Sequence, residues 1–186
     1  MGKREEILNT TLDLVCEIGF HDTSIPLIIK KSGVASGTIY HHFENKEALI
    51  NTLFAELNEE MGKAITKDIE TDMNFKSKFF HIWNNLFAFY IENPKKFEFI
   101  EDYTNSPRIK NEIKVIHERH YQAAIDFFES GIKSGILREL PLQLIKNMTF
   151  GNVSTFARMI LLNEIEFSNE LLENTIQSSW DSVKIN

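Results

Sequence analysis

The sequence predicts an all-α protein of about nine helices in two parts, a small N-terminal three-helix part and a larger helical remainder. Three observations carry this. Apolar residues recur at helical spacing along most of the chain, and no stretch sustains the alternation of a strand. Only four prolines and eight glycines punctuate the 186 residues, which suits long helices rather than many turns. Hydrophobic residues make up 42% of the chain, ample for a buried core and unlike a disordered segment.

The first helix is expected from about Lys3 to Ile18, with Ile7, Leu8, Thr11, Leu12, Leu14, Val15 and Ile18 on one broad face. Gly19 is placed to end it, and Phe20 to pack back. A second helix follows Thr23–Ser24. Ser24 is its N-cap, and Pro26 lies in the first turn, where a missing N–H does no harm. Ile25, Ile28 and Ile29 face inward, and Lys30 and Lys31 suit the negative end of the helix dipole. A short third helix covers about Ala35–His41. Asn45 caps a fourth, with Glu47 in its first turn, running through Leu49, Leu53, Phe54, Leu57 and Met61 toward Ile69.

Between the second and fourth helices, Gly33–Leu49 reads as turn, short helix, turn and helix start. Gly33 can take the left-handed backbone that a tight helix–helix turn needs. Val34, Ile39 and Phe43 anchor one apolar face. The other face carries Ser36, Thr38, Tyr40, His41 and His42, all able to donate hydrogen bonds and none acidic. Gly37 leaves room for something to approach its backbone closely. One apolar face and one donor face on a short helix suit a DNA major groove. Ser36, Thr38, Tyr40 and His41 are the candidate base contacts. Ser24, His42 and Lys46 are the candidate phosphate contacts, helped by the N-terminus of the fourth helix.

Thr23–Ser24, Gly33–Val34, Gly37–Thr38–Ile39–Tyr40, His42–Phe43 and Lys46–Glu47–Ala48–Leu49 together resemble the DNA-binding motif of the tetracycline-repressor (TetR/AcrR) family. The match covers residues 1 to about 50. Ile29 and Ser32 depart from it, standing where that family often has alanine. The resemblance implies a helix-turn-helix DNA-binding domain over residues 1–46, and an effector-binding and dimerisation domain over 47–186. The fourth helix, from about residue 46, is the connector. It further implies a transcriptional regulator, a repressor by preference, released by a small molecule bound in the larger part.

Net charge is −7, which disfavours indiscriminate coating of nucleic acid. Yet from Lys30 to Lys46 there are three bases against Glu44 alone, so positive charge gathers where a small specific footprint would sit. The N-terminus is charged, without the apolar segment of a signal peptide, and no run approaches a membrane span. The single cysteine, Cys16, falls in an apolar-periodic helix and reads as core filler. A cytoplasmic setting follows. The rival class, a helical small-molecule binder or enzyme without specific DNA binding, finds little support. No phosphate loop, dinucleotide fingerprint or H-E-x-x-H is present. His117 and His120 lie one turn apart without further ligands, and read as two partly exposed histidines. No catalytic residue, metal site or cofactor is expected.

Residues 75–103 hold ten aromatic residues. Phe79–Ile91 is apolar nearly all round, which predicts a buried central helix. Asn93–Pro94 ends it. A short helix over Lys95–Tyr103 should follow, then a long one from Arg108 to about Lys133, with Gly135 as its stop. Two readings of the aromatic stretch stand side by side, a plain core and a ligand cavity. For the cavity, Trp83, Asn84, Phe87, Tyr103 and Tyr121 are the candidate effector contacts, with Trp83 and Phe87 as one flat wall. His81, Asn84 and Asn85 are polar positions on this apolar helix, and they need partners. The final helices, about Pro141–Leu162 and Phe167–Lys184, carry more apolar surface than one packing face needs. Small residues Gly151, Ser154 and Ala157 would permit close approach. Met148, Val153, Phe156, Ile160, Leu172 and Ile176 are the candidate homodimer seam, which a palindromic operator in double-stranded DNA requires. Arg158 would pair across the seam, reach a ligand, or extend into solvent.

Overall fold

The computed structural model describes residues 2–70, 72–106 and 119–185. Among them the chain forms nine α-helices, one 3-10 helix and no strand. They divide into two compact units. The first takes in the described residues of Met1–Glu59 and Lys95–His117, and the second those of Glu60–Pro94 and Glu118–Asn186.

In the first unit, α1 (Lys3–Asp22) buries Ile7, Leu8, Leu12, Leu14 and Val15. Gly19 interrupts it at φ 79° and ψ 166°, a conformation costly for any residue with a Cβ. The chain bends there, and the Phe20 ring packs 5.2 Å from both Phe99 and Tyr103. Thr23, fully buried, satisfies its hydroxyl on the Gly19 carbonyl at 2.9 Å. α2 (Ile25–Ser32) opens on Ser24, whose Oγ accepts the Leu27 N–H, and closes on Gly33 at φ 67°. Ser32 is buried and accepts the Val34 N–H at 3.3 Å. A polar residue is thereby accommodated where a small apolar one would leave that N–H to the turn. α3 (Ser36–His42) buries Ile39, with Val34 and Phe43 flanking it in the core. α4 (Lys46–Ile65) begins on Asn45, whose Oδ1 accepts the Ala48 N–H at 2.9 Å. It ends four residues before the expected Ile69; Asp68 just beyond it takes φ 57°.

α6 (Pro94–Thr104) packs, from Lys95 onward, with these helices. Its buried residues are Phe97, Phe99, Ile100 and Tyr103. Lys95 pairs with Asp13 at 2.5 Å, and Cys16 donates its thiol to the Lys95 carbonyl at 3.4 Å. Burial, with Glu98 nearby, pushes the Cys16 thiol up to about 12. A thiol held so firmly in its neutral form packs like a small apolar side chain. The packing thus groups the chain differently from a single cut at residue 46.

The second unit is built on α5 (Phe75–Glu92), α7 (Gln122–Lys133), α8 (Leu142–Leu161) and α9 (Asn169–Val183), with the end of α4. Asn74 caps α5 and Ser168 caps α9, each through its side-chain oxygen. The expected helix over 108–133 lies partly outside the described residues. Its described part is not continuous: Arg119–Tyr121 is 3-10, and Tyr121 at φ −122°, ψ 31° precedes α7. The Tyr121 ring there meets the Phe150 ring edge-on and lies under the Lys146 ammonium. Phe79 is the hub of the core, edge-on to Phe128 and Trp180. Burying such a side chain contributes about 1.5–3 kcal/mol. Gly131 in α7 admits close packing: a Cβ there would fall 2.4 Å from the Phe75 ring. After Gly135, at φ 70°, Leu137 and Lys184 form an isolated antiparallel bridge.

Candidate nucleic-acid interface

The first unit presents α3 with its apolar side spent on the core and its polar side free. Ile39 is fully buried, whereas Tyr40 is 56% exposed. Ser24, Ser36, Gly37, His41 and His42 are exposed as well, and Thr38 and Lys46 are half-buried. A Cβ built on Gly37 would meet nothing within 4 Å, so open space lies over that backbone. The Ser24 oxygen is committed as an acceptor to the Leu27 N–H, which leaves its O–H to donate outward. His41 and His42 touch edge to face at 5.2 Å. Lys46 reaches back to α1, donating to the carbonyls of Phe20 at 2.5 Å and His21 at 3.3 Å. Those are C-terminal carbonyls of a helix, where a cation belongs.

Two first-unit features were not read from the sequence. Arg4 pairs with Glu56 and stands 5.9 Å over the Phe43 ring, joining α1, α4 and the end of α3. Nothing local marks residues so far apart as partners. Tyr103 donates to Asn51 Oδ1 at 2.6 Å, and burial, then the nearby Glu47 carboxylate, raises its pKa.

The five candidate effector residues are divided between the two units, Tyr103 in the first and the other four in the second. Tyr103 lies in the first unit, against Phe20, Phe54 and Phe99. In the second, Trp83 is fully buried and stacks on Phe87 at 5.8 Å. Phe87 continues to Phe156 at 5.1 Å and to Phe167 at 6.1 Å. Tyr121 is half-buried beside Phe150, and Asn84 is exposed. Asn84 lines a shallow depression with Met73, Lys76, Ser77, Phe80 and His81. A second hollow of about 300 Å³ lies among Thr66, Ile69, Lys78, Ile82, Ala123 and Phe127. Two polar positions of α5 have partners: Asn85 donates to the carbonyls of Ile65 and Lys67, and His81 Nε2 meets Lys67 O at 2.8 Å.

Of the candidate seam residues, Val153, Phe156 and Ile176 are buried within the unit itself. Helical periodicity marked them as apolar, and it does not say which of two apolar surfaces faces the subunit's own core. Met148, Ile160 and Leu172 are half-buried, while Leu144, Gly151, Arg158 and Leu162 are exposed on or just beyond α8. No group of three metal-ligating side chains occurs among the described residues, and His117 lies outside them. No helix among them is long and apolar enough to cross a membrane.

Three helices, α1–α3, whose second turn delivers an exposed donor-bearing helix, have the build of a helix-turn-helix DNA reader. The family described as "Bacterial regulatory proteins, tetR family" matches residues 7–53, and "Tetracyclin repressor-like, C-terminal domain" matches residues 74–184. The chain belongs to the TetR family of DNA-binding transcriptional regulators. An HTH-type transcriptional regulator of Haemophilus influenzae is 27% identical over 183 residues, 97% of this chain and 95% of that one. The fatty acid metabolism regulator protein of Bacillus subtilis is 24% identical over 177 residues, 94% and 91% of the two chains. Among solved structures, a TetR family regulator from Shewanella sp. PV-4 has a TM-score of 0.92 at 26% identity, covering all of both chains. The regulator FadR of Bacillus subtilis, solved with stearoyl-CoA, has a TM-score of 0.72 at 21% identity over 95% of each.

Proposed function

We infer that this regulator is a cytoplasmic homodimeric repressor that leaves a palindromic operator when a small apolar effector binds its larger part. The observation that supports the DNA half of this reading is the exposed face of α3. Ser36, Thr38, Tyr40 and His41 supply base contacts, and Gly37 lets the DNA come close. Ser24, His42 and Lys46 supply phosphate contacts, Lys46 sharing its ammonium with the end of α1. On this plan residues 1–46 read DNA, and residues 47–186 bind effector and pair two copies. The outer surfaces of α8 and α9 form the seam through Met148, Ile160 and Leu172, with Val153, Phe156 and Ile176 backing them from inside.

An acyl-chain effector is favoured by the printed functions of two relatives, a fatty acid metabolism regulator and a FadR that binds stearoyl-CoA. Trp83, Asn84, Phe87 and Tyr121, from the second unit, and Tyr103, from the first, are its candidate contacts. Release runs through α4, whose displacement in both copies alters the spacing of two recognition helices that must match about 34–36 Å of DNA. A hundredfold release needs about 2.7 kcal/mol of differential affinity, and reciprocity makes operator DNA weaken effector binding by the same factor. The test is a gel shift with the DNA upstream of the protein's own gene, with and without stearoyl-CoA. A specific complex that dissociates as stearoyl-CoA is added is expected. No specific complex would overturn the repressor reading, and a complex indifferent to the ligand would overturn the acyl class.

A further inference from the structure

α3 is about two turns long, so a few buried side chains must fix its orientation. Val34 before it, Ile39 within it and Phe43 after it are buried. Phe43 anchors the C-terminal end, where its N–H also closes the helix on the Ile39 carbonyl at 2.9 Å. The Arg4 guanidinium of α1 stands 5.9 Å over the Phe43 ring and pairs with Glu56 of α4. A guanidinium is planar and can stack on an aromatic face while its N–H groups reach a carboxylate. From the Phe43 ring, contact runs outward: His42 lies 6.1 Å from Phe43, and His41 lies 5.2 Å from His42. Both histidines are exposed. The series begins at an ion pair between α1 and α4 and ends on the polar face of α3. The other end of α1 is tied to α4 as well, through Lys46 on the Phe20 and His21 carbonyls. α1 and α4 thus form a frame closed by a cation at each end, with Phe43 under one of them. The Arg4 and Glu56 side chains are 45% and 44% exposed, and an ion pair so open to water contributes little to stability. What it does fix is the place of the guanidinium.

We propose that Arg4 is a positioning residue for operator recognition. Held by Glu56, its guanidinium fixes the Phe43 ring, and Phe43 sets the angle at which α3 presents His42 and His41 to DNA. Arg4 does this without touching the nucleic acid. The inference rests on the DNA-contact reading above and extends it to residues behind the contact face. Charge and position here predict opposite signs. Glu56→Gln removes an acid, so on electrostatics alone it would tighten binding to polyanionic DNA. If Glu56 holds Arg4 over Phe43, the same change loosens the guanidinium and weakens binding. Arg4→Lys separates the two again, because the charge is kept and planar stacking is lost.

The test is the affinity of the full-length protein for the duplex upstream of its own gene, measured by fluorescence anisotropy at one fixed salt concentration. Arg4→Gln, Arg4→Lys and Glu56→Gln should each bind about tenfold more weakly than wild type, a usual size for coupling within one network. Their thermal midpoints should stay close to wild type. His41→Ala/His42→Ala should also bind more weakly. Added to that pair, Arg4→Gln should cost no more than about twofold further, since the rings it places are gone. Losses that simply add, Glu56→Gln binding as tightly as wild type or more so, or Arg4→Lys binding like wild type would each overturn the positioning role while leaving the histidine contacts standing. Affinity that falls in step with the thermal midpoint would make Arg4 a structural prop and overturn it too. If His41→Ala/His42→Ala binds like wild type, the histidine contacts fail and this inference with them. A wild type that forms no specific complex overturns the DNA reading itself.

Discussion

The two units treat their buried polar groups differently. In the first, Thr11 donates to Ile7 O, Thr23 to Gly19 O, and Asn58 to Phe54 O, while Ser32 accepts from Val34. Each is closed within four residues of itself. In the second, Trp83, Thr149, Asn152 and Ser179 each have a buried atom with no partner among the described residues. Local closure makes a rigid unit that can hold a recognition helix in place before DNA arrives.

The contrast can be broken most forcefully at Phe79, where three helices meet. Phe79→Ala should cost about 3–5 kcal/mol in the unfolding free energy, read by chemical denaturation. If the first unit closes on itself, the near-ultraviolet signal of Phe20, Phe99 and Tyr103 should persist when the second unit loosens. Simultaneous loss would make the two one cooperative block. Gly131→Ala comes next. A mid-helix alanine ordinarily gains about 1 kcal/mol over glycine, but overpacking against Phe75 and Leu137 should cost about 1–3 kcal/mol and reverse the sign. A rise in the thermal midpoint would show that these side chains can yield.

On the DNA side, Tyr40→Ala should weaken operator binding by about 1–3 kcal/mol with no change in folding, since the ring is over half exposed. Unchanged affinity at matched salt would remove Tyr40 from the contact face. The smallest effect concerns Cys16. Its folded pKa is raised to about 12, so the unfolded chain gives up the thiol proton first as pH rises. The stabilisation is complete below the unfolded value and is lost as pH climbs toward about 12. The stability gap between wild type and Cys16→Ala should therefore narrow across that alkaline range, and a gap that widens would contradict the sign.

Much of this was legible because the signals are local. Ser24, Gly33 and Asn45 announce their caps within three residues, and the spacing of Ile39 to Phe43 fixes which side of α3 faces out. The TetR motif is a string of such short-range requirements. What escaped the sequence is pairing over distance. Arg4 with Glu56, Tyr103 with Asn51, and the packing of α6 beside α1 depend on which surfaces meet, not on any one periodicity. Val153, Phe156 and Ile176 show the same limit from the other side.

The far end of α4 is held by another helix. Its last carbonyl and that of Lys67 are taken by Asn85 and His81 of α5, not by a glycine of its own. Helix ends ordinarily fray first, exchanging their amide hydrogens through small local openings. Here the closing groups sit in mid-α5, among buried neighbours Ile82, Trp83 and Leu86. The last turn of α4 cannot unwind without surrendering those bonds. Its amides should accordingly exchange at the pace of α5, and the terminus of α4 belongs, kinetically, to the middle of its neighbour.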